Sequence, residues 1–372
     1  KWCSISPVNS KPELDKRIDE VESIVNVVIG KQLVPEYPIF LLILLQSSEQ
    51  HRHGELQNSG LSYYYQYLIT KSLGEVGVKP TELDEYLNYL SIFAWFFKEK
   101  KMRELSAIEL KVAHADFTSR FVTVEMGERL GLLTAARIFS KRGDNYSFAY
   151  PYIYYFFIGR YLARNLEKPH IREWVEEACR TLYLRDRANA IMFLTHHSAS
   201  GWVFELICKV LKDCFSDKKP IELNGETAYL NSLVEKSAQL LLPELDVDKN
   251  QLKVREIRDN LNESDLNEPE VEGEALDFVS KWNLLHKTAE ILGLILKNYY
   301  GSLEREQKQI MIREVFDGPL RALRIWLETV SDNLPAFVAE ISKLQREKNR
   351  KLSADEIDKK VRRDIFNLMG MV

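Results

Sequence analysis

Apolar residues recur every three or four positions along most of this chain, and the stretches that break the rhythm divide it. Leu14, Ile18, Val21, Ile24, Val25 and Val28 mark an amphipathic helix, opened by the capping sequence Ser10-Lys-Pro-Glu13 and ending near Gly30. Leu33 to Leu45 places Pro35 and Pro38 ahead of an apolar run. That is a rigid turn into a helix, whose free N–H groups can receive the polar edge of a ligand. Further helices are predicted over 61–73, 81–102, 106–119 and 124–133, the third opened by the capping box Ser106-Ala-Ile-Glu109. The period then changes from helical to two. Ala135 to Ser140 alternates like a strand, Lys141 to Asn145 reads as a turn with Gly143 free to take positive φ, and Tyr146 to Ala149 reads as the returning strand.

The next segment, Tyr146 to Ala163, is the densest aromatic stretch of the chain. It carries no charge between Asp144 and Arg160, a run of 15 residues, short of the roughly eighteen that a membrane span requires. Pro151 suits the first turn of a helix, where its missing N–H costs nothing. A helix apolar on all sides is a central one against which others pack.

Beyond it the pattern is helical from Leu166 to Leu242, with helices expected over 171–182, 189–197 and 202–215. Asp246 to Asp277 breaks the pattern, with eleven acidic and four basic residues and few large apolar ones; that composition suits a solvated linker or loop. A long helix then reads from Ala275 to Tyr300 with Gly301 as its C-cap, followed by helices over 305–316, 319–330 and 334–348 and a last one from the capping box at Ser353. The fold class expected is mainly α: a helical lid (1–75), a winged-helix domain with one β-hairpin (76–165), a helical domain (166–245), an acidic linker or mobile loop (246–274) and a C-terminal helical domain (275–372).

Composition narrows the chemistry. Charged residues make up 28% of the 372 and the formal net charge is −4, so bulk charge does not point to nucleic acid. Helices followed by a hairpin raise the DNA question, but the would-be recognition helix carries Glu125 and Glu128 against Arg129 and lacks a basic cluster to meet phosphates. Cys3, Cys179, Cys208 and Cys214 have no CxxC spacing and read as reduced thiols of a cytoplasmic protein. His51-Arg-His53 beside Glu49 and Glu55 lacks a third ligand at metal-closing spacing, and the adjacent His196 and His197 diverge on a helix. No phosphate loop, zincin or nucleophile-elbow motif occurs, so catalysis by this segment alone is not expected. The chain opens Lys1-Trp2 and reads as a piece of a longer polypeptide.

The order of these elements resembles the region that follows the nucleotide-binding core in STAND NTPases of the NACHT type. The most specific likeness is Phe148-Ala-Tyr150-Pro-Tyr-Ile153-Tyr-Tyr-Phe156-Phe157-Ile-Gly159-Arg-Tyr161-Leu162-Ala163, which aligns without a gap to the family pattern Phe-x-His-x-x-Phe-x-x-Tyr-Phe-x-Ala-x-Tyr-Leu-Ala. Tyr37-Pro38-Ile-Phe-Leu-Leu resembles the proline-led helix near the adenine, and Lys1-Trp2 the element that closes the core. Segments beginning at Phe193 and Leu292 are similar to helical regions of bacterial antiviral STAND proteins. The resemblance implies a regulatory half. ADP or ATP with magnesium would be held largely by an upstream nucleotide-binding core, with Tyr37 and Pro38 at the adenine and Tyr150 where the family's phosphate-facing histidine stands. A protein or phage-derived trigger would open the closed state, and the protein would then self-oligomerise. A tyrosine hydroxyl at position 150 can hydrogen-bond but carries no positive charge near pH 7. Two other readings remain at this level: a helical interaction scaffold without nucleotide, and a winged-helix nucleic-acid binder.

Overall fold

The structure is a computed structural model that describes residues 61–222 and 278–348, with side chains over 65–222, 278 and 280–328. Tyr37 and Pro38, the helices expected after Ser10, at 33–45 and from Ser353, the His51 loop and the acidic stretch 246–277 lie outside these residues. Among them the chain is mainly helical, with a small three-stranded antiparallel sheet.

Helices α1 (Leu61–Glu75) and α2 (Leu83–Lys100) come first. In α2, Asp84 and Glu85 occupy the first turn and Lys98 and Lys100 the last, complementing the helix dipole at both ends. Strand β1 (Leu105–Ser106) leads into α3 (Ala107–Arg120). The expected capping box forms: the Ser106 hydroxyl accepts from the Glu109 N–H, and the Glu109 carboxylate accepts from the Ser106 N–H. Helix α4 (Met126–Ala135) begins on the Glu125 carboxylate, which accepts from the N–H groups of Gly127 and Glu128.

The hairpin is β2 (Phe139–Arg142) and β3 (Asn145–Phe148), and the sheet order is β1-β3-β2. The alternation at 135–138 is not a strand. Ala135 still belongs to α4, and Arg137 takes a left-handed φ of 55° that turns the chain into β2. The turn is also shorter than expected. Lys141 and Arg142 pair with Tyr146 and Asn145, leaving Gly143-Asp144 as the loop, with Gly143 at φ 61°. Strand β1, two residues long, escaped the sequence reading because no periodicity can show in two residues.

Helix α5 (Pro151–Arg164) follows, with Pro151 in its first turn. Tyr152 through Gly159 and Leu162 are buried, so the uncharged aromatic segment is the central helix expected. It packs against α1, α2 and β3, and most extensively against α7 (Arg185–His197). Helices α6 (Pro169–Arg180) and α8 (Gly201–Asp213) complete this part, and α9 (Phe278–Asn298) and α10 (Arg305–Lys348) the described chain. Gly301 is not the left-handed cap expected of it: α9 ends at Asn298, and the exit turn is closed by Ser302 and Leu303 N–H groups on the Tyr299 carbonyl.

The three helices expected over 305–348 are one, running through Pro319 and Pro335. An interior proline costs a helix about 3 kcal/mol. Around Pro319, tertiary anchors offset that cost. The Arg321 guanidinium donates to the carbonyls of Leu211 (2.8 Å) and Cys214 (3.1 Å), which close the end of α8. Arg324 donates to the carbonyls of Lys219 and Pro220. Ala322 and Leu327 are buried.

The chain divides into two compact units, Lys1–Ile207 with Ile291–Lys308, and Cys208–Glu290 with Gln309–Val372. In the first, α5 and α7 form the centre, and Tyr299 joins it through its hydroxyl, which donates to the Thr195 carbonyl at 2.7 Å. In the second, the buried pair Glu314–Arg321 and a ring series Phe215–Phe278–Trp282–His286 link the helices.

Candidate functional site

Three side-chain clusters and the expected site residue Tyr150 converge on α5. Tyr150 stands at its N-cap with extended backbone (φ −139°, ψ 146°), the geometry that Pro151 imposes on its predecessor. Its carbonyl accepts from the N–H groups of Ile153 and Tyr154. Its half-buried ring stacks on Tyr152 at 6.0 Å, Tyr152 on Tyr65 at 5.7 Å, and Tyr65 meets Phe193 at 4.9 Å. Tyr150 therefore begins an aromatic column that crosses α1 and ends on α7. Desolvation raises the Tyr65 and Tyr152 hydroxyls far above their ordinary range, so both are neutral at physiological pH.

Midway along α5, Tyr155 joins a polar junction that sequence alone did not indicate. Arg103, in the loop before β1, donates to both Asp186 oxygens (2.6 and 2.7 Å) and to the Tyr155 hydroxyl (3.1 Å). Tyr155 in turn donates to Asp186, which lies in the first turn of α7. The Arg103 guanidinium also lies 4.6 Å from the Tyr154 ring centre. Burial, and then the Asp186 carboxylate, push the Tyr155 hydroxyl up to about 12, so it remains a donor. Three separate stretches of chain, at 103, 155 and 186, meet in one network. The sequence gives no common signal for them: Tyr155 lies inside the uncharged aromatic run, and Arg103 and Asp186 lie in separate stretches outside it.

A second junction ties α2 to α6 and α7. Lys98 lies between Trp95 (4.1 Å) and Trp174 (4.7 Å), and Arg187 covers Trp174 at 4.8 Å while pairing with Glu177. Burial, with repulsion from Arg187, brings the Lys98 ammonium down to about 8. On its other face Trp95 stacks on Tyr161 of α5 at 4.8 Å, nearly parallel. A third junction, at the end of α5, is ionic: Arg160 and Arg164 both donate to Asp84, and Arg164 also donates to Asn88.

The remaining sequence candidates have structural roles. His197 is half-buried, its ring against Phe156 and its Nε2 3.1 Å from the Phe156 carbonyl. A carbonyl only accepts, so Nε2 carries the proton. Burial, reinforced by Arg160, lowers its pKa to about 4. His196 meets Phe193 edge-on. The thiols of Cys179, Cys208 and Cys214 are buried and raised to about 12, 11 and 11 by desolvation, which makes them inert. In α4, Arg129 is buried against Tyr86 and paired with Glu85, and Glu125 is spent as an N-cap. Among the described residues no cluster of metal-ligand type forms, and no helix is long and apolar enough to cross a membrane.

No curated protein and no solved structure matches the chain. A family described as Novel STAND NTPase 4 matches residues 103–158. The matched stretch begins at Arg103 of the polar junction, takes in β1, α3, α4 and the hairpin, and ends inside α5. Through this segment, a minor part of its length, the chain is related to the STAND NTPases.

Proposed function

We propose that this chain is a regulatory part of a nucleotide-switched signalling NTPase of the STAND class, of the NACHT type and active in antiviral or innate defence. The observation that carries the reading is the family match over 103–158. The winged-helix reading is supported by the order helix, short strand, two helices, hairpin from α2 to β3, with β1 pairing on β3. In α4, the helix that would face DNA, Arg129 and Glu125 are already engaged within the protein, which favours a packing and switching role over DNA reading.

On this reading an upstream core of the same polypeptide holds ADP or ATP with magnesium. Pro38 and Tyr37 approach the adenine. Tyr150, lacking the charge of a histidine, contributes at most a hydrogen bond to phosphate. The column Tyr150–Tyr152–Tyr65–Phe193 and the Arg103–Tyr155–Asp186 junction carry a displacement of the winged helix into the helical array. Such a device is a two-state element whose equilibrium nucleotide and trigger bias in opposite directions. A sensed protein or phage-derived trigger then releases self-oligomerisation.

The test uses the polypeptide that includes the sequence upstream of Lys1. ADP binding is titrated for that protein and for a form lacking residues 83–150. The reading requires a phosphate-loop motif upstream and weaker ADP retention in the deleted form. Equal ADP affinity in the two, or the absence of that motif, refutes it.

A further inference from the structure

Helix α3 carries apolar side chains on two opposite faces. Leu110, Ala113 and Phe117 are buried in the core. On the other side Ile108 is 75% exposed and Val112 61%, and Ala115 and Ser119, also exposed, continue the same line. Spacings of four, three and four residues are those of the d and a positions of a two-helix seam. An exposed apolar side chain standing alone needs no partner, but Ile and Val on consecutive turns form a stripe. They do not serve the helix itself, because β-branched residues are weaker helix formers than the Ala or Leu that could stand there. Ser119 brings no unmet donor to the stripe: its hydroxyl donates to the Asp116 carbonyl at 2.9 Å.

The charges beside the stripe indicate what covers it. Lys111 stands on one flank, Glu109 and Asp116 on the other. Glu109 is engaged by Ser106 in the capping box. The Lys111 ammonium has no ion pair or hydrogen bond among the described residues. Asp116 receives Arg120 on Oδ2 alone, which leaves Oδ1 open to a second cation. A second α3 laid parallel and in register sets Lys111 of each copy beside Asp116 of the other, the relation of a g position to the following e position across a seam. An antiparallel arrangement sets lysine beside lysine and carboxylate beside carboxylate. The stripe is therefore complementary to itself, in apolar surface and in charge, in the parallel orientation.

We propose that the outer face of α3 is a contact between two copies of this chain. The two α3 helices pair parallel and in register about a two-fold axis. Ile108, Val112, Ala115 and Ser119 form the seam, and two Lys111–Asp116 pairs border it. The helix has 14 residues, two heptads. A seam of that length buries well under the roughly 800 Å² per partner of a stable complex, so the contact is weak on its own and acts where copies are already concentrated. It needs no nucleotide, so its failure leaves the nucleotide-switch reading where it stands, and the reverse.

Val112→Cys puts a thiol at the middle of the seam. In the parallel pairing the two thiols face each other within disulfide reach. The full chain with this substitution is held in a glutathione redox buffer, and covalent dimer is followed by non-reducing electrophoresis. Dimer should form about tenfold faster than with Arg142→Cys, which is exposed on the hairpin; the wild type measures what the native cysteines contribute. Lys111→Asp, added to Val112→Cys, turns both flanking pairs repulsive and slows the reaction by about tenfold. Adding Asp116→Lys as well restores the rate, because opposite charges face each other again. A seam built for a different protein would not respond to that paired exchange. Val112→Cys dimerising no faster than Arg142→Cys, a rate indifferent to Lys111→Asp, or a paired exchange no faster than Lys111→Asp alone overturns the proposal.

Discussion

Replacing Gly159 by alanine adds one methyl group where α5 and α7 approach most closely among the described glycines. A Cβ at Gly159 would stand 2.4 Å from the Phe193 carbonyl carbon, 2.6 Å from the Phe193 Cβ and 2.7 Å from the Leu194 nitrogen. Carbon atoms pack at about 3.5–4.0 Å, so α5 and α7 would have to part by about 1 Å. The obstacle is the backbone of α7, which cannot turn aside as a side chain can. A gap of that size forfeits a quarter to a half of the dispersion energy along the interface. It also strains the contacts that cross there: Phe156 on Phe193 and His197, and Tyr155 on Asp186. Overpacking of this kind costs up to about 3 kcal/mol. Opposing it, alanine is favoured over glycine within a helix by about 1 kcal/mol. The clash wins, leaving a net loss of about 2 kcal/mol. Gly131 provides the control. It is exposed in the middle of α4, nothing lies within 4 Å of an added Cβ, and only the propensity term applies, so Gly131→Ala gains up to about 1 kcal/mol. Urea denaturation of the two variants beside the wild type reads both signs. A Gly159→Ala protein as stable as the wild type, or more so, would refute the close approach of α5 and α7.

Three further outcomes are expected. His197 is neutral in the fold with a pKa near 4 against about 6.5 unfolded, so the unfolded chain binds more protons between those values. Its contribution, on the order of 3 kcal/mol, is fully present above about pH 6.5 and is lost as the pH falls toward 4; His197→Gln should flatten the wild-type loss of stability across that window, and an unchanged slope would exclude His197 as its source. Arg321→Met strands the buried Glu314 carboxylate and uncaps α8, which costs about 3 kcal/mol or more. Adding Glu314→Leu should recover much of that loss in thermal denaturation, and a double variant no better than the single one would show that the ion pair was not the issue. Asp186→Asn weakens the junction with Arg103 and Tyr155, which is largely open to solvent; global stability should fall by about 1 kcal/mol, while hydrogen exchange rises locally around residues 103–106 and the start of α7. Uniform exchange across the unit would count against a local junction.

The sequence by itself determined the helical character of the chain, the capping box at Ser106, the glycine turn of the hairpin and the central place of the Pro151 helix. Each is a local effect. A capping pair lies within one turn, positive φ belongs to one residue, and an uncharged aromatic run leaves no face for water. It also carried the STAND resemblance, because that pattern lies in consecutive residues around α5. Tyr37 and Pro38 fall outside the described residues, and Tyr150 was legible only through the family pattern. The tertiary structure alone decided the rest. Gly318-Pro319 reads as a helix break, yet anchors on Arg321 and Arg324, reaching carbonyls more than a hundred residues away, carry α10 through it. Ala135 to Ile138 alternates in hydropathy, but the period of two there reflects the end of a helix and a left-handed turn. The Arg103–Tyr155–Asp186 network and the pairing of Arg160 and Arg164 with Asp84 join residues 31 to 83 positions apart, and no spacing rule along a chain can place such partners side by side. Their energy depends on which surfaces meet and how far water is excluded, quantities set only when helices pack.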